Sequence, residues 1–147
     1  MKILSIYKPN KKNEGCACSF SLGNDGNVYI NAVQQFSWDE NKKTGSFAEN
    51  AKNKEKSIAI KLNNFECGGI IRAIRTFSEF NAFHSYEDNK TSIKFSTWEK
   101  SAGIPAFGLS ITRNGADKFK LPIETSEAEV IMIFLERCIL IDLSKDA

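Results

Sequence analysis

The sequence has a single histidine, His84, and its four cysteines, at 16, 18, 67 and 138, contain no CxxC pair. A zinc centre draws three or four ligands from such residues, so no metal and no cofactor are expected. Cys67 and Cys138 fall on helical stripes and read as small buried apolar groups. At 147 residues a disulfide scaffold is not needed to hold a core. No run reaches the roughly 18 apolar residues of a membrane-spanning helix. The opening Met1–Lys2–Ile3–Leu4 reaches Lys8 and Pro9 without the apolar stretch of a signal peptide, and the expected setting is reducing and cytoplasmic.

Neither GxxxxGK[ST] nor GxGxxG occurs, and no EF-hand loop occurs, so nothing reads as a phosphate or calcium cradle. Glu124, Glu127 and Glu129 gather where a helix is predicted to begin, a position that favours acids electrostatically. Asp39, Glu40 and Asp88 sit in turns, and His84 reads as a structural strand residue. No catalysis and no small-molecule substrate are expected. Net charge is also scarce: Lys plus Arg number 20 and Asp plus Glu 18, a balance of +2. That balance neither requires nor excludes a polyanionic partner, because the distribution over faces decides.

Aromatic residues are plentiful: eleven Phe, three Tyr and two Trp within an apolar fraction of 41%. Residues 1–147 read as one domain with a full core. The most ordered stretch is 104–141. Phe107, Leu109 and Ile111 alternate, Arg113–Asn114–Gly115 breaks the strand, and a second strand at 119–121 is predicted to stop at Pro122. A helix follows, with Ser126 as its cap and Glu129 closing a capping box. Its stripe is Val130, Ile131, Phe134, Leu135, Cys138 and Ile141. Residues 142–147 are predicted to fray.

A similar unit comes earlier. Strands are predicted at 2–7, an edge, and at 16–22, with a turn at Asn24–Asp25–Gly26–Asn27. A long strand over 28–38 and a mobile polar loop over 39–53 follow. The strand at 55–62 leads to a helix capped by Asn63, with Glu66 at its third position. That helix carries Phe65, Cys67, Ile70, Ile71, Ile74 and Phe77. Gly68 and Gly69 weaken it by about 1 kcal/mol each and leave room for another backbone. Strands at 80–86 and 91–98 complete the order. The count is four strands and a helix, twice, an α+β chain of antiparallel sheets covered by helices.

Several aromatic residues interleave with bases. Phe36 and Trp38 precede Lys42 and Lys43; Lys94 and Trp98 share a strand face; Phe107 precedes Arg113, Lys118 and Lys120. Rings that stack on splayed bases and cations that follow the backbone suit single-stranded nucleic acid. The same residues also fit a core and a solvated face, so an oligomeric structural or regulatory protein-binding module stays open beside a nucleic-acid binder.

Over residues 32–141 the order of motifs resembles the Whirly-type single-stranded-DNA-binding family. That family includes plant Whirly proteins, kinetoplastid mitochondrial guide-RNA-binding proteins and some phage single-strand-binding proteins. Phe36–Ser37–Trp38 before Lys42–Lys43 looks like its aromatic strand and basic loop. Residues 57–60 and 62–71 look like its strand leading to the first helix. Ala82–Phe83–His84 is similar to its aromatic–aromatic–histidine strand, with alanine for the first aromatic. Phe107–Gly108–Leu109–Ser110 is similar to its aromatic–x–Leu–Ser strand, and Leu121–Pro122–Ile123 before Ser126–Glu127–Ala128–Glu129 to its closing strand and helix. Tyr7–Lys8 and Lys11–Lys12 stand where the family has Lys–Gly–Lys. The plant acidic–aromatic tail and organelle-targeting segment are not reproduced, so a bacterial, plasmid or phage setting is expected.

The resemblance implies two roughly perpendicular four-stranded antiparallel sheets, ββββα twice, with helices used in self-association as dimers or tetramers. It implies a non-enzymatic protein that holds single-stranded DNA along strand edges and between sheets, with little sequence preference, in replication, recombination or repair. An RNA binder of the same fold is the alternative. The nucleic-acid candidates are Lys8, Lys11, Lys12, Phe36, Trp38, Lys42, Lys43, Lys94, Trp98, Phe107, Arg113 and Lys118. Those for self-association are Val130, Ile131, Phe134, Leu135 and Cys138.

Overall fold

Alternating side chains and tight turns build the strands. Gly26, Asn114 and Gly115 take positive φ (84°, 53° and 69°) and turn the chain back between neighbouring strands. The computed structural model describes residues 1–145. The order is β1 (Leu4–Lys8), β2 (Cys16–Leu22), β3 (Val28–Gln34), β4 (Ser37–Asp39), β5 (Thr44–Ser46), α1 (Ala48–Ala51), β6 (Ser57–Leu62), α2 (Asn64–Thr76), β7 (Phe80–Tyr86), β8 (Asn89–Ser101), β9 (Ile104–Arg113), β10 (Asp117–Glu124) and α3 (Thr125–Leu143). The first sheet runs β1-β2-β3-β6, the second β10-β9-β8-β7, and β4 with β5 forms a ribbon. All pairings are antiparallel. The two sheets pack roughly perpendicular, each followed by a helix, as the resemblance implies.

One cluster joins both sheets and both long helices. Phe20, Ile30 and Leu62 come from the first sheet; Phe95, Ile111 and Phe119 from the second; Ile70, Ile131 and Leu135 from the helices. Each such side chain contributes roughly 1.5–3 kcal/mol by leaving water. The α2 capping box forms as predicted: Asn63 Oδ1 accepts from Glu66 N–H (2.9 Å) and Glu66 Oε1 from Asn63 N–H (3.1 Å).

The structure departs from the sequence reading at several places. The strand predicted over 28–38 ends at Gln34. Gln35 is buried, and its side chain accepts from the N–H of Asn10 and Gly15 and donates to the carbonyls of Asn10 and Ser37. A buried amide with all its partners fixes the bend, because freeing them would strand polar groups away from water. Phe36 and Trp38 therefore leave the sheet. The predicted mobile loop over 39–53 instead holds the ribbon and α1. Phe47 is buried against the Tyr7 ring (5.8 Å), and buried Asn50 donates to Gln34 O (2.9 Å).

Pro122 does not stop β10, which continues to Glu124. Gln34 Nε2 donates to Lys118 O (2.9 Å), so the main-chain groups of Lys118 point off the free edge. By alternation those of Lys120 and Pro122 do too, and proline removes no ladder bond there. Helix α3 begins at Thr125 rather than after Ser126, because Glu127 Oε1 accepts from Glu124 N–H (2.9 Å). It runs past the predicted fray point. Asn64 Nδ2 donates to Asp142 Oδ2 (2.8 Å), which anchors the last turn to α2, while residues 146–147 lie outside the described part.

The adjacent glycines of α2 differ. A Cβ on Gly69 would meet the Phe80 ring at 2.4 Å, whereas one on Gly68 would meet nothing within 4 Å. The close neighbour is thus a side chain, not the backbone expected. Gly68→Ala should raise stability by about 0.5–1 kcal/mol, and Gly69→Ala should lower it by about 1–3 kcal/mol. Urea unfolding of both variants tests the opposite signs.

Candidate nucleic-acid interface

The second sheet buries one face in the core and turns the other to solvent. Strand register sets the outer face in rows. Phe83, Ser92, Thr112 and Lys118 lie side by side across β7, β8, β9 and β10. Asn81, Lys94, Ser110 and Lys120 form the next row. Ser96, Gly108 and Pro122 form the third; Trp98, Ala106 and Glu124 the fourth. The middle is thus small and hydroxyl-bearing, with an aromatic ring at each end of a diagonal. Ser92, beside Phe83, and Trp98 are six residues apart on β8, about 20 Å along the strand.

Both rings are available. Phe83 is 63% exposed and Trp98 is 42% exposed. Trp98 is held in place, because its Nε1 donates to Phe107 O (2.7 Å). Its ring lies against the bare backbone of Gly108, where an added Cβ would come within 3.8 Å. Among the described residues, Lys118 and Lys120 have no carboxylate within 4.0 Å, and Lys94 has only Glu79 at 3.9 Å. Glu124 is held by Lys100, which lowers its pKa from the ordinary value. The face therefore presents cations, hydroxyls and rings with little opposing charge.

At the β10 edge this face meets a cleft of about 690 Å³. Phe36, Lys56, Lys118 and Lys120 line it, and among the described residues Glu14 is its one acid. Asn13 Nδ2 donates to Phe36 O (3.0 Å), and the Phe36 ring is 49% exposed. A larger cleft of about 1100 Å³ lies between the edges of β6 and β7. His84 Nε2 and Glu66 Oε2 meet there at 2.6 Å. Its charge is mixed, with Lys54, Lys61 and Arg113 against Glu55, Glu66 and Asp117.

Of the twelve predicted nucleic-acid residues, Lys94, Trp98 and Lys118 come together on the sheet face, and Phe36 lies at its margin. Phe107 does not: it is 4% exposed and packs on Phe95 (5.3 Å) and Phe77 (5.1 Å). Buried aromatic contacts, not base stacking, explain that ring. Arg113 is also a structural residue. Its Nε donates to Asp117 (3.1 Å), Nη1 to Ser57 O (3.1 Å) and Nη2 to Lys54 O (3.0 Å), and its guanidinium lies 5.8 Å from the Phe119 ring centre. A fork so occupied has little left for phosphate. Lys8 is committed to Glu127 (2.7 Å). Trp38 donates to Glu40 (2.8 Å), which also holds Lys43. Lys42 is exposed in the ribbon turn, and Lys11 and Lys12 in the β1–β2 turn, all off the sheet face. Phe83 and Lys120 join the site from outside the predicted set. Strand phase, combined with the pairing of β7 to β8 and of β10 to β9, is the signal that places them.

The self-association residues divide similarly. Ile131, Leu135 and Cys138 are 0%, 0% and 1% exposed inside this chain, so they serve its own core and are corrected as contact residues. Phe134 is half-buried against the core. Val130 is 51% exposed and continues into Ile133 (56%) and Leu140 (64%). With Arg137, the steps along this exposed seam are three, four and three, the spacing of a coiled-coil stripe.

Burial pushes the thiols of Cys16 and Cys67 up to about 11 and about 12, and those of Cys18 and Cys138 upward too. They are held as thiols at neutral pH, which disfavours both nucleophilic and metal-binding roles. Among the described residues no three His, Cys, Asp or Glu side chains gather as a metal site, and no helix is long and apolar enough to cross a membrane. No model of a known protein family matches the chain, and no curated protein matches it in sequence.

Proposed function

We propose that the chain is a non-enzymatic single-stranded-DNA-binding protein of Whirly-like type, acting with little sequence preference in replication, recombination or repair. The observation that carries this reading is the outer face of the second sheet, where Phe83, Lys94, Trp98, Lys118 and Lys120 surround a floor of small hydroxyl residues. Each ring can stack one base, worth about 1–3 kcal/mol. The lysines follow the phosphates, and Gly108, Ser96 and Ser110 let a sugar–phosphate backbone approach closely. Stacking and phosphate contact read no base edges, so the preference for sequence is weak.

Anisotropy titration of labelled oligo-dT tests it. Binding at low salt is expected, with log K falling against log salt by a slope of about −2, since three lysines displace counterions at roughly 0.7 each on a single strand. Phe83→Ala should weaken binding roughly tenfold while the circular-dichroism spectrum stays unchanged. Absence of binding at low salt and micromolar protein would sink the reading.

The same reading includes self-association through the exposed seam of α3, because Val130, Ile133 and Leu140 leave apolar surface in water that a second copy of the helix would cover. Sedimentation should show a dimer or tetramer for the native chain and a folded monomer for Ile133→Lys. A monomeric native chain removes this part.

A further inference from the structure

We propose that the cleft between the β10 edge and the β3–β4 bend binds the terminal phosphomonoester of a nucleic-acid strand. This rests on the sheet-face reading and extends it, because it makes the cleft a stop rather than a stretch of track. The Gln34–Lys118 hydrogen bond closes the side where the sheets meet (2.9 Å). Buried Cys16, Gln35 and Phe119 form its floor. A strand crossing the outer face toward Lys118 and Lys120 therefore meets this bond and the cleft beside it at the β10 edge.

Charge at the cleft suits an end better than an interior link. Lys56, Lys118 and Lys120 all line it, and none has a carboxylate within 4.0 Å among the described residues. Among the described residues Glu14 is the only acid lining it. An interior phosphodiester carries one negative charge. A terminal monoester carries nearly two at neutral pH, with a second pKa of about 6. Three unpaired ammonium groups match the larger charge. The half-exposed Phe36 ring lines the cleft and offers a stacking surface for the terminal base.

The test uses oligo-dT of one length carrying a 5′-phosphate, a 3′-phosphate or hydroxyls at both ends, each titrated by anisotropy. One phosphorylated end should bind roughly tenfold tighter than the hydroxyl form, the scale of an added charged hydrogen bond; which end does so gives the polarity. The gain should shrink from about pH 7.5 to about pH 5.5 as the monoester takes up its second proton. Lys56→Gln, which lies off the sheet face, should abolish the gain and leave hydroxyl-ended binding unchanged. Equal affinity for all three ends, with binding intact, overturns this inference and leaves the sheet-face reading standing. An equal gain from either end reflects general attraction and overturns it as well. A gain that persists in Lys56→Gln removes it from this cleft. Failure of every oligomer to bind overturns both readings.

Discussion

The two sheets are locked to each other by side chains that capture main-chain carbonyls across the junction. Arg113, at the end of β9, takes the carbonyls of Ser57 and Lys54 beside the first sheet. Gln34, at the end of β3, takes that of Lys118 on the second. Each bond contributes only about 1 kcal/mol net, but together they hold side chains of one sheet to main chain beside the other. The crossing of the sheets is therefore pinned at two neighbouring points beside the β9–β10 turn. The face and the cleft at its edge keep one geometry because of it.

Burial divides the aromatic residues into two sets with different work. Phe20, Phe95, Phe107 and Phe119 are in the interior, where they supply area and edge contacts. Phe36, Phe83 and Trp98 are presented to solvent on positions held by hydrogen bonds or strand pairing. A near-neutral chain can still carry a cationic surface in this way. Glu124 on the second sheet is paired with Lys100, and Asp117 with Arg113, while among the described residues Lys118 and Lys120 are left without a carboxylate partner.

Much of the architecture was legible in the sequence, since it depends on local rules. Alternation marked the strands, positive-φ turn residues marked their ends, and Asn63 with Glu66 marked the start of α2. What stayed hidden depends on strand order. Pro122 reads as a stop unless β10 is known to be an edge. Phe107 and Phe83 both stand in alternating strands, and only the placement of the helices tells which one faces the core. Arg113 looks like a surface cation until the carbonyls of another sheet come within reach. Gln35 carries no local sign that a polar residue will be the buried centre of a bend. At α3 two overlapping capping boxes compete, and the one that begins at Glu124 forms because β10 delivers the chain there directly.

Pro122 also limits how the molecule can grow. A sheet adds a strand only where its margin offers both donors and acceptors, and on β10 one of the outward donors is missing. Lys118 spends an outward acceptor on Gln34. That margin cannot template another chain, so accidental fibre-like stacking is blocked on the side that carries the cations. The positive face can thus stay open to solvent at high protein concentration without inviting edge-to-edge aggregation along β10.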